Sequence, residues 1–176
     1  GANRLTGQSG GGVGIIFRPN YVVTSRSVVK YGKLEYGDFM VRGPFNLRVI
    51  IVYRQPSGLL VGTEEDPGFL LDFEALLEDL SEYSGDVLIA GDFNIHTDVH
   101  NAAGTHRLAT MLDSCGFRQH VKGPTHKSGH TLDLVMCRND TNICEFVRSH
   151  DYKISDHHTV FITLSCDKVE GVSESE

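Results

Sequence analysis

DVLIAGDFNIH, residues 86–96, begins as a buried strand and ends as something else. Val87, Leu88, Ile89 and Ala90 form an apolar run of the kind a strand shows when both its faces are covered. Gly91 breaks the run, and Asp92, Asn94 and His96 then follow at every second position. A carboxylate, an amide and an imidazole are thus carried just past the end of a core strand. Layered α/β folds hold reactive groups in such places, on loops braced by a rigid sheet.

Outward from this strand the pattern repeats. Val13–Phe17, Tyr21–Val29, Lys33–Val41 and Leu47–Arg54 precede it as β-branched or aromatic runs separated by glycine, proline or asparagine. A helix is predicted from about Asp66 to Tyr83, with Asp66 as cap, Pro67 in the first turn, and Phe69, Phe73, Leu76, Leu77 and Leu80 at helical spacing. Its acidic residues Asp72, Glu74, Glu78, Asp79 and Glu82 read as a solvated face. A second helix, Thr105–Cys115, stops at Gly116. Phe117–Val121, Thr131–Met136, Ile143–Arg148 and His157–Leu164 are strand-like. Many strands with two helices between them predict a mixed α/β layered fold. Residues 13–166 make one domain, behind a flexible glycine-rich lead-in (1–12) and ahead of a disordered acidic tail (167–176). The lead-in lacks the G-K-[ST] ending of a phosphate loop.

The 176 residues carry 16 basic and 23 acidic side chains, a formal charge of −7. That argues against a broad electrostatic grip on nucleic acid. It does not exclude a nuclease, because a bound divalent cation supplies positive charge locally. No apolar run approaches the length of a membrane span. Cys115, Cys137, Cys144 and Cys166 include no C-x-x-C pair and read as free thiols in or near the core. An intracellular compartment, nuclear or cytoplasmic, is expected from them.

Three other runs end or begin as oddly as the first. VIIVYRQP closes on Tyr53 and Arg54, GHTLDLVM sets Asp133 between Leu132 and Leu134, and ISDHHTVFITL opens on Asp156 and His157. An acid flanked by leucines is costly to bury unless paired. A histidine on another strand is the natural partner, and one so oriented is a plausible general base for water. Asp92 and Asp156 are then available to a hard cation, and Tyr53, Arg54 and Asn94 are donors for phosphate oxygens. His96 and His100 have helical zinc spacing, but Asp98 and the following NAAG read as a loop. His106, His120, His126, His130 and His150 read as surface or supporting residues, and His158 faces away from His157.

The ordered set GGGVGIIF, VIIVYRQPSG, VLIAGDFNIH, GPTHKSGHTLDLVM and SDHHTVF resembles the endonuclease/exonuclease/phosphatase superfamily, in particular the endonuclease domains of non-LTR retrotransposons. The resemblance spans Gly10 to Leu164. It implies a four-layered α/β sandwich of two packed mixed sheets flanked by helices, and phosphodiester hydrolysis with Mg²⁺ or Mn²⁺. It further implies that His157 is the base, Asp133 its orienting carboxylate, and Asp92 a residue that positions or deprotonates water. Asn94, Tyr53 and Arg54 would contact phosphate, and Asp156 and Asp92 would hold the metal. Thr159 stands where the family often has proline.

The family's leading strand–helix–strand, with its metal-binding glutamate, has no counterpart motif here. None of Asn3, Glu35, Glu64 and Glu65 lies in the right setting. A sheet lacking those neighbours is expected to expose edges that pair with a second copy, and a cation without that glutamate to bind weakly. DNA nicking is the leading expectation, with DNA and a homodimer as partners. An impaired remnant serving as a nucleic-acid-binding or dimerising module, and a phosphatase on the same scaffold, are the alternatives.

Overall fold

A computed structural model describes residues 12–31, 34–56, 67–100 and 103–165. In chain order the elements are β1 (Val22–Tyr31), β2 (Leu34–Arg42), β3 (Asn46–Arg54), α1 (Pro67–Ser81), β4 (Asp86–Asp92), α2 (Ala103–Ser114), β5 (Phe117–Gln119), β6 (Asp133–Arg138), β7 (Cys144–His150) and β8 (Thr159–Leu164). The main sheet runs β1-β2-β3-β4-β6-β5, and β7-β8 form a second sheet. Only β3 and β4 are parallel. A parallel pair needs a crossover, and α1 lies within it.

The apolar runs of β3 and β4 are continuous because both faces of the main sheet are covered. On one face Ile50, Val52, Val87, Ile89, Leu134 and Met136 meet the apolar stripes of α1 and α2. On the other, Val49, Leu88, Val135 and Cys137 meet Val147, Val160, Ile162 and Leu164 of the hairpin. The result is an α/β sandwich of helices, main sheet and second sheet. The hairpin is antiparallel rather than mixed, and no helix over its outer face is found among the described residues. No helix among them is long and apolar enough to cross a membrane.

The helix and strand assignments largely match the sequence pattern, with several element ends shifted by one or two residues, and three of the differences have a visible cause. Val13–Phe17 is extended but outside any ladder. Its alternation arises because Val13 is buried and Ile15 packs on the inter-sheet core while Ile16 is fully exposed. β6 starts at Asp133, since Thr131 and Leu132 hydrogen-bond to loops: Thr131 Oγ1 donates to Gly123 O, and Leu132 O accepts from Phe93 N. His157 lies ahead of β8, in an isolated bridge with His126. The Asp66 cap, the lead-in up to residue 11, the tail from 166, and Asn3, Glu64 and Glu65 lie outside the described residues.

Candidate active site

The polar tip of β4 owes its shape to Gly91 and Phe93. Gly91 has φ 149°, and a Cβ there would lie 1.9 Å from Val52 O. Only glycine allows β3 and β4 to run so close. Phe93 turns inward, fully buried, with its ring edge-on to Phe73 at 5.2 Å and to Phe69 at 6.3 Å. That inward anchor leaves Asp92 and Asn94 directed outward. Asn94 takes φ 48°, a left-handed conformation that asparagine tolerates better than most residues. Its N–H donates to Asp92 Oδ1 at 3.0 Å, and its amide donates to Asp92 Oδ2 at 3.0 Å and Arg54 O at 2.7 Å.

Strand register brings the other groups alongside. Tyr53 is the partner of Asp92 on β3, and Asp133 its partner on β6. Glu35 on β2 faces Tyr53 across the next pair and is buried. His157 Nδ1 lies 2.9 Å from Asp133 Oδ2, and its Nε2 lies 3.9 Å from Asp92 Oδ2. A ring that gives its Nδ1 proton to a carboxylate keeps the Nε2 lone pair free. Four further hydrogen bonds hold this pair in place. Thr125 Oγ1, wholly buried, accepts from both Leu132 N and Asp133 N at 2.9 Å. His158 N donates to Thr125 O at 2.7 Å. Ser155 Oγ accepts from His157 N at 3.1 Å.

Tyr53, Asp92, Asn94, Asp156 and His157 line an open cleft of about 490 Å³ with His96, His126 and His130. Burial alone would lower the His157 pKa, but the bond to Asp133 and the charges of Asp133, Asp92 and Asp156 outweigh it and raise it above 6.5. Asp92 is raised by burial first and by the Asp133 charge second. Burial and the neighbouring His130 lower His96. The cleft thus holds an imidazole that keeps its proton more readily than usual beside a carboxylate that gives one up less readily, perturbations of the kind functional sites show.

Most sequence-predicted residues meet at this end of the sheet: Tyr53, Asp92, Asn94, Asp133, Asp156 and His157 all belong to one cluster. Two of the expected phosphate contacts, Arg54 and Asn94, make hydrogen bonds within the protein. Arg54 is 5% exposed, with its guanidinium over the Phe69 ring at 5.2 Å and donating to Asn94 O at 3.0 Å. It braces the turn and does not line the cleft. Both amide hydrogens of Asn94 are likewise engaged within the protein, so its amide orients Asp92 in place of donating to a phosphate. Asp92 and Asp156 also fall in separate donor groups, Asp92–Asp133–His157 and His126–Asp156–His157, which share the histidine.

Thr125, His126 and His130 were missed as site residues. Their signal lay in GPTHKSGH, where Gly123 (φ 84°) and Gly129 (φ 87°) bend the loop back before β6. His130 Nδ1 donates to Asp98 Oδ2 at 2.8 Å, and its ring stacks on His96 at 3.9 Å. His96 and His100 lie in a loop, not on a helix, and among the described residues share no metal-competent group. His158 is absent from the cleft lining, as its neighbour's orientation requires.

An α/β sandwich whose strand ends converge on a carboxylate–imidazole pair in an open cleft has the parts that acid–base chemistry requires. The sequence profile of the endonuclease-reverse transcriptase family matches residues 47–161, well over half of the chain. The chain belongs to that family. No curated protein gives a match.

Proposed function

We propose that this domain hydrolyses phosphodiester bonds in DNA, as the nicking module of a retroelement. The single observation that carries the reading is the Asp133–His157 pair at 2.9 Å, with Asp92 at 3.9 Å from the opposite ring nitrogen, inside the family-matched span. Water attacks phosphorus and gives its proton to His157 Nε2. The new P–O bond forms as the ester P–O bond breaks, and the leaving oxygen departs as alkoxide to be protonated from solvent. Asp133 fixes the ring and stabilises the imidazolium, and Asp92 faces the site where that charge appears. Tyr53 supplies a hydroxyl at the cleft wall for a phosphate oxygen.

The donor chemistry fits a hard divalent cation such as Mg²⁺ or Mn²⁺, because Asp92 and the half-exposed Asp156 offer carboxylate oxygens. When bound, the cation supplies positive charge against the phosphate, which the net charge of −7 otherwise lacks. The partners are DNA and a second copy of the chain, the latter through the outer edge of β1, which pairs with no strand among the described residues. A nuclear or cytoplasmic setting suits this substrate. A plasmid-nicking assay with Mg²⁺ tests the reading. Wild type converts supercoiled plasmid to open circles, and His157→Ala falls by about 10²–10⁴-fold, the usual share of a general base. Equal nicking by both, or by neither, refutes it.

A further inference from the structure

Away from the cleft, three ligand-type side chains converge between the two sheets. His120 follows β5, Cys137 lies on β6, and Cys144 opens β7. One ligand atom from each lies within 4.8 Å of the others. Register explains the meeting. His120 N bonds Val135 O, placing His120 beside the β6 face on which Val135 and Cys137 point into the inter-sheet core. Cys144 packs on that core from the hairpin side and is hydrogen-bonded to Cys137. His120 Nε2 is buried and has no hydrogen-bond partner among the described residues. Buried polar atoms are rarely left so, and each calls for a reason.

We propose that His120, Cys137 and Cys144 form a site for a thiophilic divalent cation of the zinc class, which staples the β7–β8 hairpin to the main sheet. The ligand types are right: two sulfurs and one ring nitrogen on a borderline-soft ion. Metal–sulfur bonds of about 2.3 Å and a metal–nitrogen bond of about 2.0 Å require ligand separations of roughly 3.5–3.8 Å, which small side-chain rotations deliver. Charge balances too, since two thiolates cancel a dication in apolar surroundings. On binding, each thiol releases its proton to solvent, two sulfur–metal bonds and one nitrogen–metal bond form, and nothing is oxidised. The fourth position is left for water. The carboxylate cleft contains no sulfur among its lining residues, so the two sites are chemically separable.

Cobalt(II) is the probe. Titrated into the reduced, chelator-treated chain, it is expected to give a thiolate-to-cobalt absorption band that saturates at one equivalent and is displaced by zinc. Zinc is expected to raise the melting temperature as well. Cys144→Ser abolishes the band, and His120→Gln weakens cobalt binding at least tenfold, about the low end for losing one metal contact. Both positions are only part-buried, and circular dichroism matching wild type verifies their folding. Cys115→Ser, outside the cluster, leaves the band intact. Three results would overturn the proposal: no such band in the folded, reduced wild type; a band that survives Cys144→Ser; or a Cys137–Cys144 disulfide in protein prepared without reductant that is insensitive to zinc.

Discussion

At the start of β6 two backbone N–H groups end on one hydroxyl oxygen, that of Thr125. Thr125→Val keeps the shape and orphans both donors, so it is expected to lose about 1–3 kcal/mol per unsatisfied group in urea unfolding. Thr125→Ser keeps the oxygen and is expected to stay near wild type. The same site makes a pH prediction. The folded-state pKa of His157 is raised above 6.5. A raised value means the protonated ring stabilises the fold fully below the unfolded pKa, and that contribution is lost as pH rises through the folded one. Asp133→Asn removes the charge. In an NMR titration its His157 ring should titrate below that of wild type, and the stability gap between the two should narrow as pH rises from the ordinary histidine value through the raised folded one. Unchanged titration would contradict the pairing. This pair was legible in the sequence because a leucine-flanked acid demands a partner. Arg54 was not, since a guanidinium beside a phosphate-type motif reads the same whether it faces solvent or backbone carbonyls.

Among the elements, the tie between α1 and the main sheet is an ion cluster. Arg48 Nη2 reaches Asp38 Oδ2 at 2.9 Å and Asp79 Oδ2 at 3.0 Å. Asp38 and Arg48 are 5% and 7% exposed. Breaking such a pair from one side typically costs about 3–5 kcal/mol, and Asp38→Ala is expected to fall in that range by thermal or urea unfolding. Asp79→Ala, from a carboxylate 66% exposed, is expected to change stability by less than about 1 kcal/mol. The acidic stripe of α1 was thus read correctly as solvated, except that one of its members reaches down to a buried arginine. Periodicity reveals which face of a helix meets the core, as Phe69, Phe73 and Leu77 do. It says nothing of a cross-element ion pair, nor does it tell an extended segment such as Val13–Phe17 from a paired strand, because both alternate.

For the molecule as a whole, order along the chain was more informative than any single motif. Residues 53, 92, 133 and 157 come from four separate segments, and strand register alone brings the first three into line. What the sequence hid lies in loops and between sheets: the GPTHKSGH turn and the His120–Cys137–Cys144 cluster, whose members no local spacing connects. Among the described residues no strand pairs with the outer edge of β1. Val22 and Val28 on this strand are 62% and 42% exposed, and such an edge invites pairing. Light scattering is expected to show a dimer, and Val28→Lys to shift it toward monomer; a clean wild-type monomer at high concentration would contradict edge pairing.

The central claim, that an Asp133-oriented His157 removes a proton from water, is tested most directly by the pH dependence of Mg²⁺-supported plasmid nicking in wild type and Asp133→Asn. The wild-type rate should climb with pH and level off above the raised His157 value, while Asp133→Asn should level off at lower pH and at a slower rate. A flat profile, or profiles that superimpose, would contradict the account.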